Sequence, residues 1–366
     1  MDLAAEIGIL FGFLIFALTG VFVIAIQYRK YGRFTPLRLL GAAAVSVYVT
    51  TLVAYTLLPL PPANDAVCPP SLQLVPLQFI ADIASDTAGE GVFATLASRT
   101  TLQVVFNVLL FIPLGVIVRG FFSRGLPITL LIGVGTSLFI ELTQFTGNWG
   151  MYSCPYRVAD VDDLIANTLG ALLGGLLAPA VLGWMPREHA LRAVRATPRP
   201  VTVWRRWAGM AIDFALFTGT AAAFVVTYRV VVLTVTGTLP ETSDPVEAAL
   251  GSVVPALLVF ILPALRSTGA SLGQTAMWLE PSWQRPASVA RRLLRATSVG
   301  GLYGALVFLS QLALPMAEAA GVLANTLLLA AFVAVPFTRG RRGLSGLIAG
   351  AEIKDERAQP ARSAAR

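Results

Sequence analysis

Residues 157–182 read RVADVDDLIANTLGALLGGLLAPAVL. The stretch opens with charge and closes without it. From Leu164 to Leu182 no residue is charged, and at 1.5 Å per residue such a run is long enough to cross the hydrocarbon of a bilayer. Asp160, Asp163, Asn167, Gly170 and Gly174 recur at intervals of three and four, so they share one face of a helix. Asp160 suits the N-cap, and Asp163 suits the positive end of the helix dipole. The two glycines would let a second helix come close. A helix that is polar at its mouth and apolar along its body predicts a membrane-spanning bundle.

Eight further apolar runs lie on either side, roughly 7–26, 37–58, 102–118, 127–145, 207–228, 250–265, 299–316 and 321–337. The predicted fold is therefore all-α, a polytopic transmembrane helix bundle of about nine spans, five plus four. The last two runs could instead form one re-entrant hairpin. Composition agrees: of 366 residues 56% are hydrophobic and 13% charged, whereas a soluble domain carries about 25% charged residues. That balance argues against a soluble enzyme and against disorder. Residues 183–206 are basic, proline-bearing and free of long apolar runs. We expect a transmembrane domain over 1–183, a basic cytoplasmic linker over 184–202, a second transmembrane domain over 203–353 and a disordered basic tail over 354–366. The halves show no repeat, which speaks against an inverted-repeat transporter.

All 27 lysines and arginines except Arg99, Arg157 and Arg229 fall in alternate connections. The positive-inside rule then predicts a multi-pass protein of the bacterial plasma membrane, with the N-terminus outside and the C-terminus cytoplasmic. The basic excess belongs to cytoplasmic loops, so no nucleic acid partner is expected. The first span carries Asp2 and Glu6 where a signal peptide would be basic, so it reads as a retained span. Cys68 and Cys154 both fall in outside segments, where a disulfide is permitted; two unpaired thiols are the alternative. His189 is the single histidine and sits in the linker. That scarcity excludes zinc and iron–sulfur clusters. It also excludes a Ser-His-Asp triad on the outer side. No phosphate-cradling Gly-Lys-Ser/Thr step occurs, and no cofactor is expected.

Under this topology Asn107 lies near the outer end of the third span. Glu141 and Gln144 lie at the outer end of the fourth. Arg157, Asp160 and Asp163 stand at the mouth of the fifth, with Asn167 one turn deeper. Glu141 needs a partner, since an intramembrane carboxylate is costly, and Arg157 is the expected one. The residues leave three readings open. They could brace helix ends, hold a divalent cation on Glu141, Asp160 and Asp163, or form an outward-facing pocket for a lipid or cell-wall headgroup. In the last case Arg157 would meet phosphate or carboxylate.

Asn107-x4-Ile112-Pro113-Leu114-Gly115, then Glu141-x2-Gln144, then Arg157-x2-Asp160-x2-Asp163-x3-Asn167-x2-Gly170, in that order, resemble the VanZ family over roughly residues 37–182. That family is named for a teicoplanin-resistance determinant. The resemblance implies a cell-envelope role and lowered sensitivity to glycopeptides. The partners to expect are membrane lipids, a lipid-linked cell-wall precursor or the glycopeptide itself. Over roughly 203–353 the chain is similar to the RDD family. Arg206 and Asp213 stand at the first two signature positions, and Ser271-Leu272-Gly273 matches an internal turn. The chain departs at Gly346, where the family has an aspartate. We expect a non-enzymatic envelope protein. The alternatives are a lipid or ion-coupled transporter using Glu141 and Asp213, or a metal-assisted membrane hydrolase.

Overall fold

The computed structural model describes residues 3–58, 72–155, 157–186, 188–240 and 243–358. Among them nine helices are long and apolar enough to cross a membrane. They are α1 (Ala5–Tyr31), α2 (Pro36–Leu57), α3 (Arg99–Phe121), α4 (Leu126–Phe145), α5 (Val161–Leu182), α6 (Val203–Thr236), α7 (Pro245–Ala264), α8 (Val289–Ser310) and α9 (Ala317–Phe337). The chain is an all-α multi-pass membrane protein. Short helices, among them Gln78–Asp86, Glu188–Ala193, Leu272–Ala276 and Gly343–Ile348, and two short strand pairs complete the described structure. Strand β1 (Leu72–Gln73) pairs in parallel with β2 (Ala159–Asp160), and β3 (Leu279–Ser282) pairs antiparallel with β4 (Glu352–Asp355).

The helices begin where side chains can satisfy free backbone N–H groups. Asp160 accepts from the Asp162 N–H at the head of α5, Thr202 from Arg205 at α6, Asp244 from Val246 and Glu247 at α7, and Ser288 from Arg291 at α8. Capping explains why α7 starts at Pro245, earlier than its apolar run suggested. Helix α6 has 34 residues. At 1.5 Å each that is about 50 Å, well beyond a hydrocarbon core of about 30 Å. Its far end is tied by the Arg229–Glu247 ion pair at 2.6 Å.

Helix α4 shows how the bundle solves its packing problem. Thr129, Gly133, Ser137, Glu141 and Gln144 are buried, whereas Leu131, Leu138 and Leu142 are exposed. Apolar side chains face outward because lipid is as apolar as leucine. Small and polar residues face inward, where backbones can approach and hydrogen bonds can form.

At their seam helices α3 and α5 approach each other closely. A Cβ on Gly174 would stand 1.9 Å from the Ile112 carbonyl oxygen, and one on Gly170 would stand 2.2 Å from that of Val108. Gly174→Ala should therefore lower stability by about 1–3 kcal/mol through overpacking. Thermal unfolding of the purified protein in detergent measures this, with Gly135→Ala as control. A Cβ on Gly135 would meet nothing within 4 Å. Equal midpoints for the two variants would refute the seam.

The chain divides into two compact units, Met1–Leu18 with Pro36–Glu188, and Thr19–Thr35 with His189–Arg366. The break at Glu188 falls inside the expected linker. The second half of α1, expected in the first domain, belongs instead to the second unit. There Val21, Ile24, Ala25 and Tyr28 pack on a core of Ile212, Met277, Leu279 and Ile353. The first unit has its own core around Leu52, Phe111, Ile140 and Ala171.

One further expectation needs correction. Residues 354–358, assigned to a disordered tail, are ordered, because β4 pairs with β3 and buried Asp355 forms ion pairs with Arg205 and Arg357. The rest of the tail lies outside the described residues. The basic stretch near Arg291 belongs to a helix of spanning length. It is the start of α8 and runs on through a π turn at Thr297–Gly301. Val289 and Leu294 stay exposed, but Arg295 turns inward. Helices α8 and α9 are each long and apolar enough to cross a membrane.

Candidate functional site

In the first unit α3, α4 and the head of α5 bring polar side chains together. Asn107 on α3 donates from Nδ2 to Asp163 Oδ1 on α5 at 2.5 Å. Glu141 Oε2 on α4 accepts the backbone N–H of Asp160 at 3.0 Å. Asn167 Nδ2 donates to Ser137 Oγ at 2.9 Å. Its own Oδ1 is buried without a partner among the described residues. Gln144 Nε2 donates to the Thr56 carbonyl of α2 at 2.8 Å. Bonds to α5 thus join Asn107 of α3 and Glu141 of α4 to its head, while Gln144 is tied to α2.

Arg157 is the exception. It was expected on Glu141, but it lies exposed and donates from Nη2 to the Leu58 carbonyl at 3.1 Å. The reason is local backbone. Strand β2 pairs with β1, Leu72 opposite Ala159 and Gln73 opposite Asp160, and the Asp160 N–H reaches Glu141 from this extended segment. Arg157 precedes the strand, in the loop. Gln73 Nε2 also donates to Asp160 Oδ1 at 3.3 Å. Burial is the main influence that lifts the Asp160 carboxyl above its usual range. The Asp162 N–H bond pulls the other way, while the charges of Asp162 and Asp82 add to the rise.

Asp162 was not singled out, yet it is the most buried acid of the group. Its Oδ1 accepts the Leu77 N–H at 2.6 Å and its Oδ2 accepts that of Phe79 at 3.0 Å. Ser137 was likewise overlooked. It stands four residues before Glu141, and that helical spacing on α4 was a usable signal. Nothing in the sequence marks Gln73, Leu77 or Phe79.

The cysteine expectation is half visible. No described cysteine is free, and Cys154 is disulfide-bonded; Cys68 lies outside the described residues. Among the described residues no three acids, histidines or cysteines converge as a metal-holding group. The cation reading of Glu141, Asp160 and Asp163 therefore has no geometry behind it.

In the second unit Arg206 and Asp213 do not pair with each other. Arg206 donates from Nε and Nη2 to the carbonyls of Arg341 and Arg342, at 3.1 and 3.3 Å. Asp213 accepts from Ser271 Oγ and from the Gly273 N–H, both at 2.6 Å. A Cβ on Gly273 would stand 1.9 Å from the Gly209 carbonyl oxygen. The absence of a side chain there lets the 271–273 turn sit against α6, close enough to reach Asp213. Both Arg206 and Asp213 line a cavity of about 130 Å³, together with Gln274 and Arg295.

Residues 45–182 match the VanZ/LLP1 family model. The VanZ-like segment thus starts inside α2, ends with α5, and contains every candidate residue of the first unit. Helix α1 and the whole of the second half lie outside it. No curated protein and no solved structure matches the chain. The Gly115, Gly170 and Gly174 contacts, and the Asn107–Asp163 and Glu141–Asp160 bonds, are internal to the VanZ-like segment.

Proposed function

We propose that the chain is a non-enzymatic cell-envelope protein of the bacterial plasma membrane. Its VanZ-like segment holds the headgroup of a lipid, or of a lipid-linked cell-wall precursor, at the mouth of α3, α4 and α5. One observation carries the reading. Three separate stretches of chain meet there through the Asn107–Asp163 and Glu141–Asp160 bonds, with exposed Arg157 in the adjoining loop. A guanidinium has five N–H donors, and Arg157 gives one of its groups to Leu58. Among the described residues the rest of the fork has no other bond, which suits a phosphate or carboxylate. The acids beside it suit an amine on the same headgroup, and the unpartnered Oδ1 of Asn167 supplies a deeper acceptor.

With the N-terminus outside and the C-terminus cytoplasmic, this mouth faces outward. Holding the headgroup that a teicoplanin-type drug requires would lower sensitivity to that drug. The second half, with Arg206 and Asp213 at RDD-like positions, is the accessory module. Two rivals have less support. Ion-coupled transport needs a carboxylate free to exchange its ion, and Asp213 has both oxygens bonded. Metal-assisted hydrolysis lacks a converging ligand set among the described residues.

The test is Arg157→Lys, which keeps the charge and loses the fork. Because Arg157 is exposed, the variant folds. We expect binding of a lipid-linked wall precursor by the nanodisc-embedded protein to weaken about tenfold. Teicoplanin sensitivity of an expressing host should rise in parallel. Unchanged affinity and unchanged sensitivity would remove this function from the α5 mouth.

A further inference from the structure

The second unit contains a buried excess of positive charge, two arginines facing one aspartate around a single cavity. Arg206 and Arg295 line the same cavity at 4% and 7% exposure. Neither forms an ion pair among the described residues. Asp213 is the one carboxylate among the described residues of the cavity wall; bonds from Ser271 and Gly273 hold it in place, and its single charge offsets only one of the two guanidiniums. Arg295 donates both terminal nitrogens to Gln274 Oε1, and its Nε is buried with no partner among the described residues. Arg206 spends Nε and one terminal nitrogen on backbone carbonyls. Desolvating a guanidinium is costly unless an anion answers it. Proteins rarely leave such donors buried and unpaired.

The place and shape of the cavity narrow the answer. It lies at the end of the unit where α6 and α8 begin and where α7 and α9 finish. Arg291, Arg292, Arg339, Arg341 and Arg342 cluster in sequence at the same helix ends. Charge distribution assigns this end to the cytoplasm. The polar wall continues into an apolar one that includes Phe260 and Phe332. A cavity near 150 Å³ holds a benzene-sized molecule, so about 130 Å³ has room for a tetrahedral oxyanion and the start of its substituent. Basic pockets between spanning helices on the cytoplasmic side are suited to anionic headgroups.

We infer that this cavity binds an oxyanion of the phosphate class, held by Arg206 and Arg295, and that the occupant is an anionic amphiphile whose chain follows the aromatic wall. Gln274 positions the Arg295 fork. Asp213, by holding the 271–273 turn, keeps Gln274 in reach. This inference is independent of the outward-facing mouth of the first unit, and either can fail alone.

The experiment uses the purified full chain in a non-ionic detergent, followed by calorimetric titration. The probes are dihexanoyl-phosphatidylglycerol, dihexanoyl-phosphatidylcholine and inorganic phosphate. The inference expects saturable binding of the phosphatidylglycerol, at least about tenfold tighter than the phosphatidylcholine, and weakened by salt. Arg295→Gln should weaken it at least about tenfold, and Arg295→Lys by less, because charge-assisted bonds are lost in the first and only the fork in the second. Arg291→Gln, in the exposed first turn of α8, should leave it unchanged. If inorganic phosphate competes, the oxyanion alone is recognised. If it does not, the lipid chain is part of the ligand, and the inference stands in its full form. If Arg295→Gln fails to fold, the wild-type comparison of the two lipids and the Arg295→Lys value still decide. Equal affinity for the two lipids, or no binding of either lipid or phosphate, overturns the inference.

Discussion

Asp355→Asn should lower the stability of the second unit by about 3–5 kcal/mol, the cost of leaving a buried charge without its partner. Asp355 is 3% exposed. It pairs with Arg205 at 2.8 Å and with Arg357 at 2.7 Å, and it accepts the Arg199 and Arg357 N–H groups. Arg205 is buried as well, and donates to the carbonyls of Met277, Trp278 and Arg199. This cluster binds β4 and the segment before α6 to the turn after α7. Asparagine keeps the shape but not the charge, so Arg205 is left without a counter-ion.

The same site gives a pH dependence with a definite sign. Burial alone would raise the Asp355 carboxyl, but the bonds from Arg357 and Arg199 and the charge of Arg205 outweigh it and hold the group well below the usual carboxylate range. A carboxyl depressed in the folded state stabilises the fold above its unfolded value of about 3.9, and that stabilisation is lost as pH falls below it. Wild-type unfolding midpoints should therefore drop steeply between about pH 4 and the acid limit, and the Asp355→Asn midpoints should drop less. Parallel curves for the two proteins, followed by circular dichroism, would show that the ion pair does not support the fold.

Asp162→Ala should loosen the first unit at its polar mouth. Removing the carboxylate leaves the Leu77 and Phe79 N–H groups without acceptors, at about 1–3 kcal/mol each. Leu77 sits at φ 62°, in the left-handed region, a strained conformation for a leucine that its surroundings must hold in place. Release of this segment should free β1 from β2, and with it the segment from which the Asp160 N–H reaches Glu141. Hydrogen exchange over residues 72–79 should quicken, and the unfolding midpoint should fall. Asp162→Asn, which keeps one acceptor oxygen, should lose about half as much. Unchanged exchange over 72–79 would show that the segment is held by something else.

Much of this was legible before any coordinates. The nine spans follow from apolar length, and the α5 stripe follows from spacing. Asp160 as N-cap and Gly170 and Gly174 as a close-approach seam were read from residue type alone, and both are as the structure has them. The same reasoning put Arg157 on Glu141 and left Asp162 unremarked. Both misreadings have one cause. Helical spacing reports which residues share a face, but not where a loop returns. The β1–β2 pairing brings residues 72–79 back to the α5 mouth from more than eighty positions away, and only then does Asp162 acquire its partners.

Arg295 is the sharper case. Along the chain it is one more arginine beside Arg291 and Arg292, because a period says nothing about what lies across the bundle.

The sequence by itself determined that this chain is a helical membrane protein in two parts, since bilayer thickness sets a length that any long apolar run either meets or does not. Tertiary structure alone decided which charges are buried together: Arg205 with Asp355, and Arg206 with Arg295 around one cavity. A charge in a low-dielectric interior is governed by whatever lies within a few ångströms of it, and those neighbours come from segments that nothing along the chain connects.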